Sequence, residues 1–257
     1  MSLFFLKITL TPLLIASATL VARRWGPAVG GWFVGLPLTS GPLSLFLALE
    51  QGPEFAAAAA AKSLIGQCGI AVFCVTYAKS ARGSAWLRST CFSLAVYFVA
   101  LEALSLLSLG LPLECVMTLG FQLATLLIIG KPAAALAMRV SPWWDLPLRM
   151  GAAVTVVLSI TGFALTLGPE WSGLLAPFPA FTLIMTAFSH QQYGHAAAHQ
   201  LSYGIAVGGF GSVCFFCIVA FSLTSLGALI TFTLAVLTTF TLNGLILRLM
   251  LRRRRGH

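Results

Sequence analysis

A chain of 257 residues with 59 % apolar and 8 % charged side chains, and a mean hydropathy of +0.97, has too little polar surface to clothe a soluble core. This excludes a soluble enzyme or binding domain. The formal charge of +9 does not call for nucleic acid, because the cations fall in short loops and one tail. The composition predicts an all-α polytopic bundle, in which about nine spans of ~20 residues use most of the chain.

Apolar runs broken by Gly, Pro or charge predict spans at 3–22, 29–49, 56–78, 86–109, 112–131, 149–167, 171–189, 197–220 and 224–247. In the first, Ala16-Ser17-Ala18 imitates a signal-peptidase site. Arg23 and Arg24 follow directly and oppose translocation, so the segment reads as a retained helix. The second span is interrupted at Gly35-Leu-Pro-Leu-Thr-Ser-Gly-Pro42, where Pro37 and Pro42 lack backbone N–H groups. Thr39 or Ser40 could cap the half-helix that follows, aiming its positive dipole end at an anionic or strongly polar group.

The fourth and fifth spans are separated only by Gly110-Leu-Pro112, so eight spans compete with nine. Charge decides between them. With nine spans, every cation except Lys7 and Lys62 falls on one side, which predicts an outside N-terminus and a cytoplasmic Arg252–Arg255 tail against anionic lipid headgroups. Trp143 and Trp144, beside Asp145 and Arg149, suit an interfacial belt.

The seventh span is interrupted at Leu175-Ala-Pro-Phe-Pro-Ala-Phe181. A shift of 140 residues places Pro177 on Pro37, Gln191 on Gln51, Gly209 on Gly69 and Cys214 on Cys74. Spans one to four then correspond to six to nine. The expected organisation is a single membrane domain: repeat one over 1–110, a connector helix over 111–140, an inverted repeat two over 141–250, and a basic tail over 251–257.

Ser172-Gly-Leu-Leu-Ala-Pro-Phe-Pro-Ala-Phe-Thr-Leu-Ile184, with His190 after it, resembles a segment of the GlpM-like inner-membrane proteins, small four-span bacterial proteins with a similar Gly-Leu-x-Pro-Leu-Phe-Pro-Thr-Phe run. The stretch from Arg23 to Gly52 is similar to a group of uncharacterised bacterial membrane proteins of this length. The first repeat departs from the GlpM-like pattern, with Thr39-Ser40-Gly41-Pro42 where the second has Pro179-Ala180-Phe181-Thr182. The resemblance implies a bacterial inner-membrane protein built from a duplicated four-helix unit, and no reaction.

Broken helices at matching positions point to a binding site near the midplane, formed by Gly35, Pro37, Thr39, Ser40, Pro42, Pro177, Phe178 and Pro179. Hydroxyls on one side and phenyl rings on the other suit a small polar or amphiphilic solute. Glu102, the one acidic residue well inside a span, is a candidate for ion coupling, and His190 for gating or proton sensing. His195 and His199 have metal-ligand spacing, but no acidic residue accompanies them, so the expectation is loop histidines and neither metal nor cofactor. Six scattered cysteines suggest no disulfide framework. Without a Ser/His or paired-acid arrangement in the spans, the chain is not expected to be an enzyme. The expected function is solute transport. The alternative is a non-transporting scaffold or accessory subunit in envelope or lipid metabolism, and self-association is left open.

Overall fold

The computed structural model describes residues 2–38, 40–107, 109–132, 142–167 and 178–255. Every element among them is an α-helix: α1 (Ser2–Trp25), α2 (Pro27–Val34), α3 (Ser40–Glu50), α4 (Pro53–Ser80), α5 (Trp86–Ser105), α6 (Leu111–Ile129), α7 (Asp145–Leu167), α8 (Ala180–Tyr193) and α9 (His195–Arg255). Gly26 and Gly52, at φ 88° and 93°, end one helix where Pro27 and Pro53 start the next. Only glycine takes that conformation without strain, and proline fits the first helical turn because its missing N–H would be unpaired there anyway.

Helix α9 is 61 residues long and is two arms joined at Gly227, where φ is 74°. Thr239 Oγ1 donates to the Gly211 carbonyl at 3.3 Å, and the Phe215 and Phe232 rings lie 6.1 Å apart, so the arms fold back on each other. The expected junction at 221–223 thus moves to Gly227. The run through Phe221–Leu226 is apolar and helix-compatible, and it continues until a residue free to adopt positive φ. Helices α5 and α6 are distinct.

The helices are turned inside out relative to a soluble protein. On α6 the buried face is Glu114, Thr118, Gln122 and Thr125, while Leu113, Val116, Leu119, Leu123 and Leu127 point outward. The second arm of α9 buries Thr231, Thr239 and Asn243 and exposes Leu229, Leu237 and Phe240. Polar side chains turn into the bundle and apolar ones meet the surroundings, the arrangement a hydrocarbon solvent demands. Helices α4, α5, α6 and α9 are each long and apolar enough to cross a membrane. The chain has the helical construction of a membrane-spanning protein.

At the centre, α4 and α2 both pack on the first arm of α9. A Cβ on Gly31 would strike the Leu201 carbonyl, and one on Gly208 would strike that of Trp32. Gly204 fits against the Ala28 carbonyl in the same way. Gly31 of α2 with Gly35 at its C-terminal cap, and Gly204-x-x-x-Gly208 on α9, therefore let two backbones touch, a short-range packing that membrane helices use in place of hydrophobic drive. Helix α6 lies antiparallel along the same arm. Gln122 Nε2 donates to the Ala206 carbonyl at 2.5 Å, and His199 Nε2 lies 3.0 Å from the Ile129 carbonyl.

Candidate functional site

The interruption between α2 and α3 rests on the first arm of α9. Leu38 N donates to the Leu36 carbonyl at 2.8 Å, and Gly41 N reaches the Pro37 carbonyl at 2.8 Å, which starts α3. The Gly35 carbonyl accepts from Ser212 Oγ at 2.7 Å, across the α2–α9 interface. Ser40 opens α3, and Pro42 occupies its first turn, where its missing N–H costs nothing. Thr39 lies outside the described residues.

In the second interruption Pro177 also lies outside the described residues. Pro179, buried, precedes α8, and its carbonyl accepts the Leu183 amide at 2.8 Å. Phe178 is turned towards α5, edge-on to Tyr97 at 6.2 Å and against Phe98 at 6.0 Å. The two interruptions thus lean on different partners, α9 for the first and α5 for the second. They are linked through one apolar cluster holding Phe33 and Val34 of α2 with Phe181, Ile184 and Met185 of α8.

Glu102 sits on the exposed face of α5, opposite the buried Ser89, Ser93 and Tyr97. Glu114, at the start of α6 and 6 % exposed, is an acidic side chain that does turn into the bundle.

His190 ends α8 at 8 % exposure. Its Nδ1 lies 3.5 Å from Tyr77 Oη, which lies 3.3 Å from Thr90 Oγ1, whose own hydrogen goes to the Trp86 carbonyl at 2.7 Å. The imidazole lines a cavity of about 540 Å³ between the α4–α5 turn and the α8–α9 turn, with Arg82, Ser84 and His195. Arg82 also borders a second cavity, of about 400 Å³, with Lys79 and His199. Burial, and then the neighbouring His195, hold the His190 pKa below its ordinary 6.5.

Beside this lies a charge cluster that sequence reasoning read only as interfacial residues. Asp145, at the start of α7, accepts from Arg149 Nε at 2.8 Å and from Arg23 Nη2 at 2.7 Å, and Gln192 Nε2 donates to it as well. Arg149 is 2 % exposed, and its guanidinium stacks 5.1 Å from the Phe188 ring. Burial alone would raise the Asp145 carboxyl. The Arg149 charge and the hydrogen bonds from Arg149, Arg23 and Gln192 outweigh it, leaving the group below its ordinary value. One carboxylate thereby ties the ends of α1, α7 and α8. The i, i+4 spacing of Asp145 and Arg149 was the available signal. Nothing local announces Arg23, 122 residues away.

Comparison with protein-family models, with curated proteins and with solved structures returns no match.

Proposed function

We propose that this chain is a transporter of a small polar or amphiphilic solute in the bacterial inner membrane. In this reading it has nine spans in two inverted repeats, with the N-terminus outside and the Arg252–Arg255 tail at anionic lipid in the cytoplasm. The observation that carries the reading is the interruption of α2 and α3 inside the bundle, with the Gly35 carbonyl accepting from Ser212 of α9. Irregular backbone at membrane depth persists only where protein or a water-lined cavity surrounds it. A carbonyl that accepts from an exchangeable hydroxyl is a group that a polar ligand can engage, beside the N-terminal dipole of α3.

The basic cavity above His190 is the cytoplasmic approach in this reading, and His190 its gate. Glu102 faces outward, so geometry favours His190 over Glu102 for proton coupling. The GlpM-like likeness of residues 172–184 agrees with the proposed membrane and supplies no substrate.

One observation favours the scaffold reading: the glycine contacts that bring α2 against α9 leave little space at that crossing. Single cysteines at positions 40 and 178, in a cysteine-free background in sealed vesicles, separate the two. A transporter predicts that Ser40→Cys reacts with a membrane-impermeant maleimide from one face at a time. A packed scaffold leaves both positions unreactive from both faces, and that result overturns the transport reading.

A further inference from the structure

Cys115 Sγ and Cys217 Sγ lie 2.7 Å apart, one on α6 and the other on the first arm of α9. Unbonded sulfurs do not rest so close, and a shift of roughly 0.7 Å would bring them to the about 2.05 Å of a disulfide. From this contact we infer that Cys115 and Cys217 are a disulfide-forming pair that staples the connector helix α6 to α9.

The two helices present the thiols from a fixed register. Along the same antiparallel contact, Gln122 holds the Ala206 carbonyl and His199 lies against the Ile129 carbonyl. Both sulfurs sit among the residues of one apolar cluster that includes Phe215, Phe216 and Val219. Of the other cysteines, Cys68 contacts Thr118, Cys74 is buried in a different cluster and Cys91 is exposed on α5, while Cys214 neighbours Cys217 one turn away on the same helix. The inference rests on this geometry and not on the transport reading or its orientation.

The oxidant is a disulfide, either of a thiol–disulfide exchange protein or of a small molecule. Cys217, the more exposed of the two, attacks as thiolate on one sulfur of that disulfide and expels the other as a thiolate. Cys115, as thiolate, then attacks Sγ of Cys217 in the mixed disulfide and expels the second thiolate. The two protons given up by Cys115 and Cys217 end on the two released thiols. The protein pair loses two electrons, and the oxidant gains them.

The test uses the purified full chain, treated with dipyridyl disulfide, digested without reduction and mapped by mass spectrometry. The expected result is a linked peptide joining Cys115 to Cys217, while the exposed Cys91 keeps a stable pyridylthio adduct as an internal control. In Cys115→Ser, Cys217 should keep its adduct. Should that variant fail to fold, the wild-type map decides alone. Free thiols or separate adducts at both positions, with Cys91 modified, overturn the pairing. The oxidised protein should also melt at a higher temperature than the reduced one, and dithiothreitol should reverse the gain. An unchanged melting temperature in linked protein overturns the staple.

Discussion

Arg149 Nε donates to Asp145 Oδ1 at 2.8 Å across one turn of α7, and Arg23 reaches the other carboxylate oxygen at 2.7 Å from α1. One anion therefore serves two cations, and the carboxylate is what allows Arg149 to stay charged while buried. In the proposed two-repeat reading, α1 belongs to one half and α7 and α8 to the other. Asp145 then bridges the halves at the cytoplasmic end, beside the cavity over His190.

Replacing Asp145 with Asn should leave the buried Arg149 without its counter-charge and destabilise the protein by about 3 kcal/mol. Asp145→Asn with Arg149→Met should lose less than Asp145→Asn alone, because the stranded cation is gone. Thermal unfolding in detergent measures both. The pH dependence follows from the sign of the shift. The Asp145 carboxyl is depressed from 3.8, so its stabilisation is present above 3.8 and disappears as pH falls through the lower folded value. The gap between wild type and Asp145→Asn should hold from neutrality to about pH 4 and close below it.

His190 has a dependence of the same sign in a higher pH window. Its folded pKa lies below 6.5, so the unfolded chain binds the proton first as pH falls. Stability should be level above about 6.5 and decline below it, and His190→Gln should flatten that decline. Melting temperatures across pH 5–8, an about three-unit window centred on ordinary histidine titration, read the difference. An identical slope in the variant would remove His190 from any proton-sensing role.

The sequence was most legible where local chemistry decides the backbone. The Gly-Pro junctions at 26–27 and 52–53 and the interruption at Gly35–Pro42 are visible as residue types that cannot continue a helix. Facing direction was less legible, although the signal existed. Glu114 lies in phase with Thr118, Gln122 and Thr125, the polar stripe that turns inward, whereas Glu102 lies half a helical turn out of phase with Ser93 on α5. Depth along a span says nothing about face, so a carboxylate well inside a span can still point outward. The glycine pairs at 31/35 and 204/208 carry a readable packing motif. Partners distant in sequence, such as Arg23 with Asp145, Ser212 with Gly35 and Cys115 with Cys217, depend on the assembled bundle and have no local signature.

Removing the Ser212 hydroxyl tests how the α2–α3 interruption is held. Ser212→Ala takes away the donor to the Gly35 carbonyl in a site where Ser212 is 1 % exposed. Losing that buried hydrogen bond should cost about 0.5–1.5 kcal/mol. Hydrogen exchange should accelerate at the amides of Leu38 and Gly41 next to the interruption, while the amides of α5 should be unaffected. Uniform acceleration across the chain would mean global loosening rather than a local role for Ser212.

The α2–α9 crossing should be intolerant of side chains to a degree that composition alone would not suggest. Gly208→Val places a branched side chain where even a Cβ would meet the Trp32 carbonyl, and Gly204→Val does the same at the Ala28 carbonyl. Each should force the helices apart and destabilise by about 1–3 kcal/mol or more, because backbone atoms cannot give way as a flexible side chain would. Gly120→Ala on the outer face of α6 is the control, since nothing lies within 4 Å of its added Cβ and alanine favours the helix. It should leave the protein unchanged or slightly more stable. Separating α2 from α9 also moves the Gly35 carbonyl away from Ser212, so Gly208→Val should reproduce the local hydrogen-exchange signature of Ser212→Ala. Gly204→Val and Gly208→Val as stable in thermal unfolding as Gly120→Ala would show that the backbones do not touch.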